Sequence, residues 1–415
     1  MSTQLKISVL LTFQIICFVA SKAATPAPQP ATCDAETQQK IQKGNAAFTG
    51  KFLYEAYKQD PTKNKIMSPF SILVPIGELA LYAKENTHTQ LINALNLRNN
   101  EEIRCAFPAL TNQFRAEKDV ILNTAARIFA SDNSPLRQEF LNDTKTVFEA
   151  EAESLSFSNP AAAANRINKW VESKTNNRIK DIAKPDMFDA ATKLVLANAI
   201  YFLSDWEHSF DNRSTEDRDF HVNSKTTIRI PTMHQTRYFK YAFIESLDSK
   251  LLEMNYKGNT FSFVVFLPNK IEGLAQLVEK LQDPNILYSA YDNSVRAKVD
   301  VLLPKIKIES EFDLIKILSQ IGITDIFSER FSKLDNILQR YEPLYVSSAK
   351  QKAFIEVEEK GTEAAAANIF TVGISITSVH APRPPPVPFH ADHPFVFYIM
   401  YKRQIIFSGV FVNKN

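Results

Sequence analysis

The chain has 415 residues, 45% of them hydrophobic, with 48 Lys and Arg set against 46 Asp and Glu. A net charge of +2 marks no global partnership with nucleic acid or an anionic surface, so any polyanion site has to be a local patch. Nine glycines leave little room for phosphate-cradling loops. Neither a P-loop nor a dinucleotide fingerprint is present, and no serine sits in a G-x-S-x-G elbow.

In chain order, Lys6 precedes an apolar run from Ile7 to Ala20, and the small-x-small pattern Ser21-Lys22-Ala23 follows it. That is the layout of a secretory signal peptide over residues 1–23, cleaved after Ala23. The run is shorter than the ~20 apolar residues that a spanning helix needs, and Gln14 interrupts it. No later stretch is long and apolar enough to span a bilayer, so a soluble, secreted, extracellular protein is expected. Losing Lys6 and Lys22 would balance the basic side chains against the 46 acidic ones. Residues 24–32 are Pro/Ala-rich and read as an extended linker. Residues 33–415 show no repeat and no second linker before a C-terminal loop, and are expected to form a single domain.

Cys17 leaves with the signal peptide. Cys33 and Cys105 remain, an even pair in an oxidising compartment, and predict one disulfide tying the N-terminal tail to the body. Asn142-Asp143-Thr144 and Asn212-Arg213-Ser214 are glycosylation sequons. Ile167, Trp170 and Val171 have helical spacing within Asn165–Ile179, with Lys169, Lys174 and Arg178 on the wet side. The densest basic run, Arg166, Lys169, Lys174, Arg178, Lys180 and Lys184, is interrupted by Glu172 and Asp181 and reads first as a solvated helix face. Leu194 to Phe202 and Thr260 to Leu267 predict buried strands, and Phe395 to Tyr401 with Ile405 to Val412 predict a hairpin. Strands concentrated in the second half, with helices mostly before them, make the fold α+β: a large sheet with helices packed on it.

Candidate chemistry is sparse. The seven histidines form no H-E-x-x-H. The cluster His380, His390 and His393 lacks Cys or well-spaced carboxylate partners, so solvated side chains in a polar loop are expected, with no metal or cofactor and no catalytic set. One stretch fits an ordinary globular domain poorly. Glu356 to Glu363 leads into four alanines, Ala364 to Ala367, then into a β-branched run ending at Val379 and a Pro-rich segment from Ala381 to Pro388. The alanines favour helix, with Thr362 as its cap, whereas the next run favours strand. The prolines are expected to make no regular ladder. One reading is a short helix, an edge strand and a surface loop. The other is a segment kept out of the sheet that it could join, led by small side chains able to slide between strands.

That stretch resembles the reactive loop of the serpins. Glu359, Lys360, Gly361, Thr362, Glu363, Ala364, Ala365, Ala366 and Ala367 match the hinge of inhibitory members. Asn64 to Ile72, Leu194 to Phe210, Thr215 to Phe220, Tyr256 to Asn259, Leu303 to Lys305, Ala391 to Phe395 and Phe407 to Gly409 resemble family motifs in the family's order. The resemblance implies one domain with three β-sheets, about nine helices and an exposed loop over about 359–388. It implies a monomeric serine protease inhibitor, not an enzyme. A protease cleaves the loop and forms an acyl-enzyme, after which the loop enters the main sheet and carries the protease away. About 15 residues at ~3.3 Å each give roughly 50 Å of travel, and a displacement of about 1 Å in the protease's catalytic geometry already costs ~100-fold in rate.

On this resemblance Gly361 gives the hinge backbone freedom, and Thr362 enters the sheet first. Ser71 and Asn198 belong to the sheet-opening region, where Gln351 replaces the family's usual histidine. Counting from Gly361 puts the scissile bond at Ser375–Ile376, or within a residue or two of it, which suits an elastase-like enzyme; counting back from Phe389 instead puts it near His380. Arg383 is the bait for a trypsin-like protease, but Pro384 makes that bond a poor substrate; Arg383 would then fill the pocket reversibly. The signal peptide and Pro-rich loop resemble those of mosquito salivary anticoagulant serpins that act on coagulation factor Xa. A factor Xa-like or elastase-like protease is thus the expected partner, with a glycosaminoglycan on the basic run as a further candidate. A carrier or chaperone role is the alternative, and the small hinge residues speak against it.

Overall fold

The structure, a computed structural model, describes residues 33–115, 117, 119–362 and 384–414. The signal peptide and linker assigned to residues 1–32 lie outside the described residues. Cys33–Asn415 is one compact unit. Its first helix, α1 (Ala35–Gln59), starts where the Asp34 carboxylate accepts a hydrogen bond from the Thr37 N–H at 2.6 Å, which satisfies one of the donors a helix start leaves open. A disulfide joins Cys33, just before that cap, to Cys105, with Cα atoms 5.1 Å apart. The other helices are α2 (Pro69–Ala80), α3 (Glu85–Leu95), α4 (Asn100–Arg115), α5 (Gln138–Val147), α6 (Pro160–Lys174), α7 (Leu274–Lys280), α8 (Pro284–Asp292) and α9 (Leu314–Gln320).

Among the described residues, two hydrogen-bonded networks carry the strands. A six-stranded sheet contains β2 (Val120–Ser131), β3 (Glu151–Leu155), β4 (Leu194–Asp205), β10 (Ile306–Asp313), β11 (Val346–Val357) and β12 (Gly361–Thr362), in the order β10-β11-β12-β4-β2-β3. The nine-stranded network contains β1 (Lys65–Met67), β5 (Glu216–Asn223), β6 (Thr226–Ile244), β7 (Ser249–Asn255), β8 (Phe261–Pro268), β9 (Val295–Pro304), β13 (Val387–His390), β14 (Phe395–Tyr401) and β15 (Gln404–Phe411). Its centre is the 19-residue β6, which pairs with β5 from Thr226 to Thr232, with β9 from Thr232 to Tyr241 and with β7 from Lys240 to Ile244. The three sheets expected from the sequence therefore appear as one separate sheet and two that share a strand.

The apolar run of β4 follows from its position. Leu194, Leu196, Ile200 and Phe202 face the main core, whereas Val195, Ala197 and Ala199 face a smaller core closed by Ile167, Trp170 and Val171 of α6. A strand covered on both faces needs apolar side chains at nearly every position. Helix α6 begins before the predicted Asn165 because Asn159 caps it, accepting from the Ala162 N–H, with Pro160 in its first turn. It stops at Lys174, before the predicted Ile179: the Thr175 hydroxyl turns back to the Val171 carbonyl, and Asn176 and Asn177 adopt positive φ. The hairpin β14–β15 closes Tyr401 onto Gln404 around Lys402 at φ 52°.

Several expectations for the C-terminal stretch change. Thr362 is strand, opposite Val357 and Ser204, where open edges of β4 and β11 receive it; the alanines expected to follow it as a helix lie outside the described residues. Pro388 does join a ladder, parallel to β9 opposite Asp300, and β13 is the terminal strand of its network, where a missing N–H is tolerated. His390 and His393 are not simply solvated. His393 is buried, with Nδ1 at 2.7 Å from Asp392 and Nε2 at 2.7 Å from the Pro268 carbonyl. His380 lies outside the described residues.

His390 helps fasten β13. Asp300 on β9 takes His390 Nε2 at 3.1 Å, His234 Nε2 at 2.9 Å and the Thr236 hydroxyl at 2.6 Å. Burial alone would raise the Asp300 carboxyl, but donation from Thr236, His234 and His390 outweighs it and holds the group well below the usual carboxylate range. Asp300→Asn is expected to lower the melting temperature by roughly 1–3 °C at neutral pH, the scale of ~1 kcal/mol in a large domain. A depressed carboxyl stabilises above its unfolded value. The gap between variant and wild type should therefore shrink as pH falls below about 3.9; thermal melts from pH 7 to pH 3 check this.

Candidate functional site

The site begins where a ladder stops. β11 and β4 pair in parallel from Val346–Leu194 to Ala353–Ile200, where that register ends. Nearer the Asp205 end of β4 the two strands are parted, and the two residues of β12 fill the mouth: Thr362 pairs with Val357 on one side and Ser204 on the other, and Gly361 pairs with Asp205. Glycine is needed at 361 because of close approach. Its φ is not positive, whereas a Cβ there would lie 2.2 Å from the Ser204 carbonyl oxygen and 2.6 Å from Asp205 Cα.

The chain reaches this mouth through a tight turn. Glu358 N–H donates to Gly361 O at 2.8 Å, and Gly361 N–H donates back to Glu358 O at 3.2 Å. Groups from distant segments hold the turn. The Trp206 indole N–H donates to Glu358 O at 2.8 Å, and the backbone N–H groups of Trp206 and Phe210 donate to Lys360 O and Glu359 O, each at 2.8 Å. Lys305 places its ammonium 3.0 Å from Glu358 and 3.1 Å from Glu359, and the Thr215 hydroxyl donates to Glu359 at 2.8 Å. Burial pushes Glu359 up, yet hydrogen bonds from its own N–H, Thr215 and Lys305 leave it below its ordinary value. Burial pulls Lys305 down, and the two carboxylates leave it raised. Inside the mouth, Thr362 is 1% exposed, with its hydroxyl oxygen 2.6 Å from that of Tyr256.

Halfway down the sheet, the structure brings together Ser71, Asn198 and Gln351. Asn198 and Gln351 are register partners across β4 and β11. Gln351 Nε2 lies 2.9 Å from Asn198 Oδ1, 2.9 Å from Ser68 O and 3.2 Å from Ser71 Oγ, and its Oε1 accepts from Ser68 N–H at 3.1 Å. Ser71 Oγ is 2.7 Å from Asn198 Oδ1, and Asn198 Nδ2 donates to Ser71 O at 2.7 Å. All three side chains are buried, and none of their polar atoms is left without a partner. A glutamine amide thus ties both strands to the start of α2 through groups that carry no charge.

Glu363, Ala364, Ala365, Ala366, Ala367, Ser375, Ile376 and Arg383 lie outside the described residues. Asn142 is exposed on α5, where its amide oxygen accepts from Gln138, while Thr144 of the same sequon is buried. Asn212 is exposed in a short turn. Arg166 of the basic run is paired with Glu153 at 2.7 Å, and Lys174 lies 3.9 Å from Glu151. Sequence reading assigned no role to Trp206, Thr215, Tyr256 or Lys305. Each lies inside a segment quoted for its family resemblance, which was the signal available.

Gln351→Leu removes the amide while leaving the Ser68, Ser71 and Asn198 groups buried. It is expected to cost about 1–3 kcal/mol, read from the urea concentration at which the uncleaved protein unfolds.

Comparison with known proteins places this geometry. The family model described as Serpin (serine protease inhibitor) matches residues 43–414. The chain is 38% identical to alaserpin of Manduca sexta over 376 residues, which span 91% of this chain and 94% of that protein. It is 39% identical to antitrypsin of Bombyx mori over 373 residues, spanning 90% and 94%. Among solved structures it is similar to Serpin48 of the insect Tenebrio molitor, with a TM-score of 0.81, 32% identity and coverage of 91% of this chain and 99% of that one. The chain belongs to the serpin family of serine protease inhibitors.

Proposed function

We propose that this protein is a secreted inhibitor that traps a serine protease by letting it cut the segment between Thr362 and Pro384. The observation that carries the reading is the hinge itself, seated between β4 and β11 at the mouth of a sheet whose register stops at Ala353 and Ile200. The protease's serine oxygen attacks the carbonyl carbon of Ser375. The bond to the Ile376 nitrogen breaks, and the new amine takes a proton, leaving Ser375 esterified to the enzyme. Freed at that end, the strand that begins at Gly361 extends the ladder that β12 has started. Each added residue gains backbone hydrogen bonds on both sides. The ester persists because the protease is carried from the site of attack before water can hydrolyse it.

Secretion rests on the layout of residues 1–23 and agrees with the Cys33–Cys105 bridge, which persists in an oxidising compartment. The proposed target has a small or apolar specificity pocket, from Ser375 and Ile376. A factor Xa-like enzyme would instead engage Arg383, and the Pro384 that follows it is exposed. A glycosaminoglycan would use Lys169, Lys180 and Lys184, which are exposed, as are Arg166 and Lys174 beside Glu153 and Glu151.

Incubation with elastase, chymotrypsin, trypsin and factor Xa, followed by denaturing gels and mass spectrometry, tests this. An elastase-type enzyme is expected to give a complex that survives denaturation, with the new N-terminus at Ile376. Clean cleavage with no such complex for any enzyme would refute the trap. Inhibition of factor Xa that Arg383→Ala abolishes, without a covalent complex, would move the target reading to the reversible contact.

A further inference from the structure

We propose that the Tyr256 hydroxyl is the positioning group that holds Thr362 in the sheet before cleavage, and that it sets how many encounters end in a trapped protease. The inference rests on the trapping reading above and adds to it a residue outside the loop.

Tyr256 is fixed by contacts that owe nothing to the hinge. Its ring stacks on Trp206 with centroids 4.5 Å apart and planes at 8°, and meets Phe202 edge-on at 5.1 Å. Its backbone N–H donates to Phe261 O at 3.0 Å, and it bridges to Trp206 across an isolated β-contact. The side chain is fully buried, yet its hydroxyl does have a partner: Thr362 Oγ1, 2.6 Å away. With the hinge out of the sheet, the phenol would keep its aromatic surroundings and lose that partner, and a buried hydroxyl without one is costly. The Thr362 hydroxyl gains the same contact only when inserted. The pair therefore favours the docked hinge over the expelled one without favouring either through charge.

This matters because Thr362 pairs with both Val357 and Ser204 at the mouth of the sheet, where a strand growing inward would start, so a buried hydroxyl pair there bears directly on whether the hinge is docked. Once the ester has formed, insertion races hydrolysis. A docked Thr362 lets the strand grow from an existing nucleus, whereas an expelled hinge has to re-enter first. Losing the pair should shift the race toward hydrolysis and release of cleaved inhibitor.

The test uses the full-length protein and a protease that it traps. Tyr256→Phe and Thr362→Val keep the shapes and remove one hydroxyl each. Both are expected to raise, by severalfold, the number of inhibitor molecules consumed per protease trapped, and the double variant should do no more than either alone. Thr362→Ser should restore the wild-type ratio. Hydrogen exchange on the uncleaved protein provides a second readout: amides at 361–362 should lose protection in both variants, while those of β4 from Leu194 to Ile200 keep it. Wild-type ratio and wild-type hinge protection in Tyr256→Phe would overturn the proposal, as would effects that simply add in the double variant. If the wild type traps no protease, the trapping reading itself has failed, and the exchange data still decide whether Tyr256 holds the hinge.

Discussion

A backbone ladder that stops partway is the constraint on which the rest of this molecule depends. Each buried peptide group needs a partner, and β4 and β11 provide one another with partners only as far as Ile200 and Ala353. Beyond that point their outer neighbours β2 and β10 remain paired, so the two strands are held apart as rails, and Gly361 and Thr362 take up partners at their mouth. In the proposed trap, a strand continuing this pairing would gain backbone partners on both sides and would stay tethered at both ends until a protease cut one, so the stored free energy and the recognition element would be the same piece of chain.

The surroundings of the gap divide the labour. At the mouth, charge and aromatic packing fix the turn from Glu358 to Gly361: Lys305 between two glutamates, and the Trp206 indole on a carbonyl. Deeper in, neutral groups do the holding, with Gln351 linking Asn198 to Ser68 and Ser71. The distinction is physical. At the mouth, Lys305 sits between two carboxylates whose attraction offsets the desolvation that burial imposes on it and on Glu359, whereas the interior would penalise an uncompensated charge heavily. A glutamine there also avoids the titration near neutrality that an imidazole would bring.

Much of the fold is legible in the sequence where burial is one-dimensional. The apolar runs of β4, β14 and β15 and the face of α6 carrying Ile167, Trp170 and Val171 all report their surroundings through spacing alone. Element ends are less legible, since α6 is set by Asn159 and Thr175, polar residues outside the apolar pattern. The hinge exposes the deeper limit. Propensity suggests helix for its alanines, whereas Thr362, just before them, is paired as strand by segments far away in sequence. Its hydroxyl partner is 106 residues away and the indole that holds Glu358 is 152 away. No local pattern encodes such pairings. Resemblance pointed to the segments, and only the assembled sheet shows which atoms meet.

The position of the last two strands has a consequence for what a cut molecule is. β14 and β15 lie within the nine-stranded network, flanked by β8 and β1, and their side chains are buried throughout. The Asp300 clasp adds β13 to the same anchorage. A break anywhere between Thr362 and Pro384 therefore severs the covalent chain without separating the pieces. Such a molecule would travel as one particle through a sizing column and fall into two only when its core is dissolved. The C-terminal fragment is less a released peptide than a permanent subunit, so the cleaved protein becomes, in effect, a heterodimer made from one gene product.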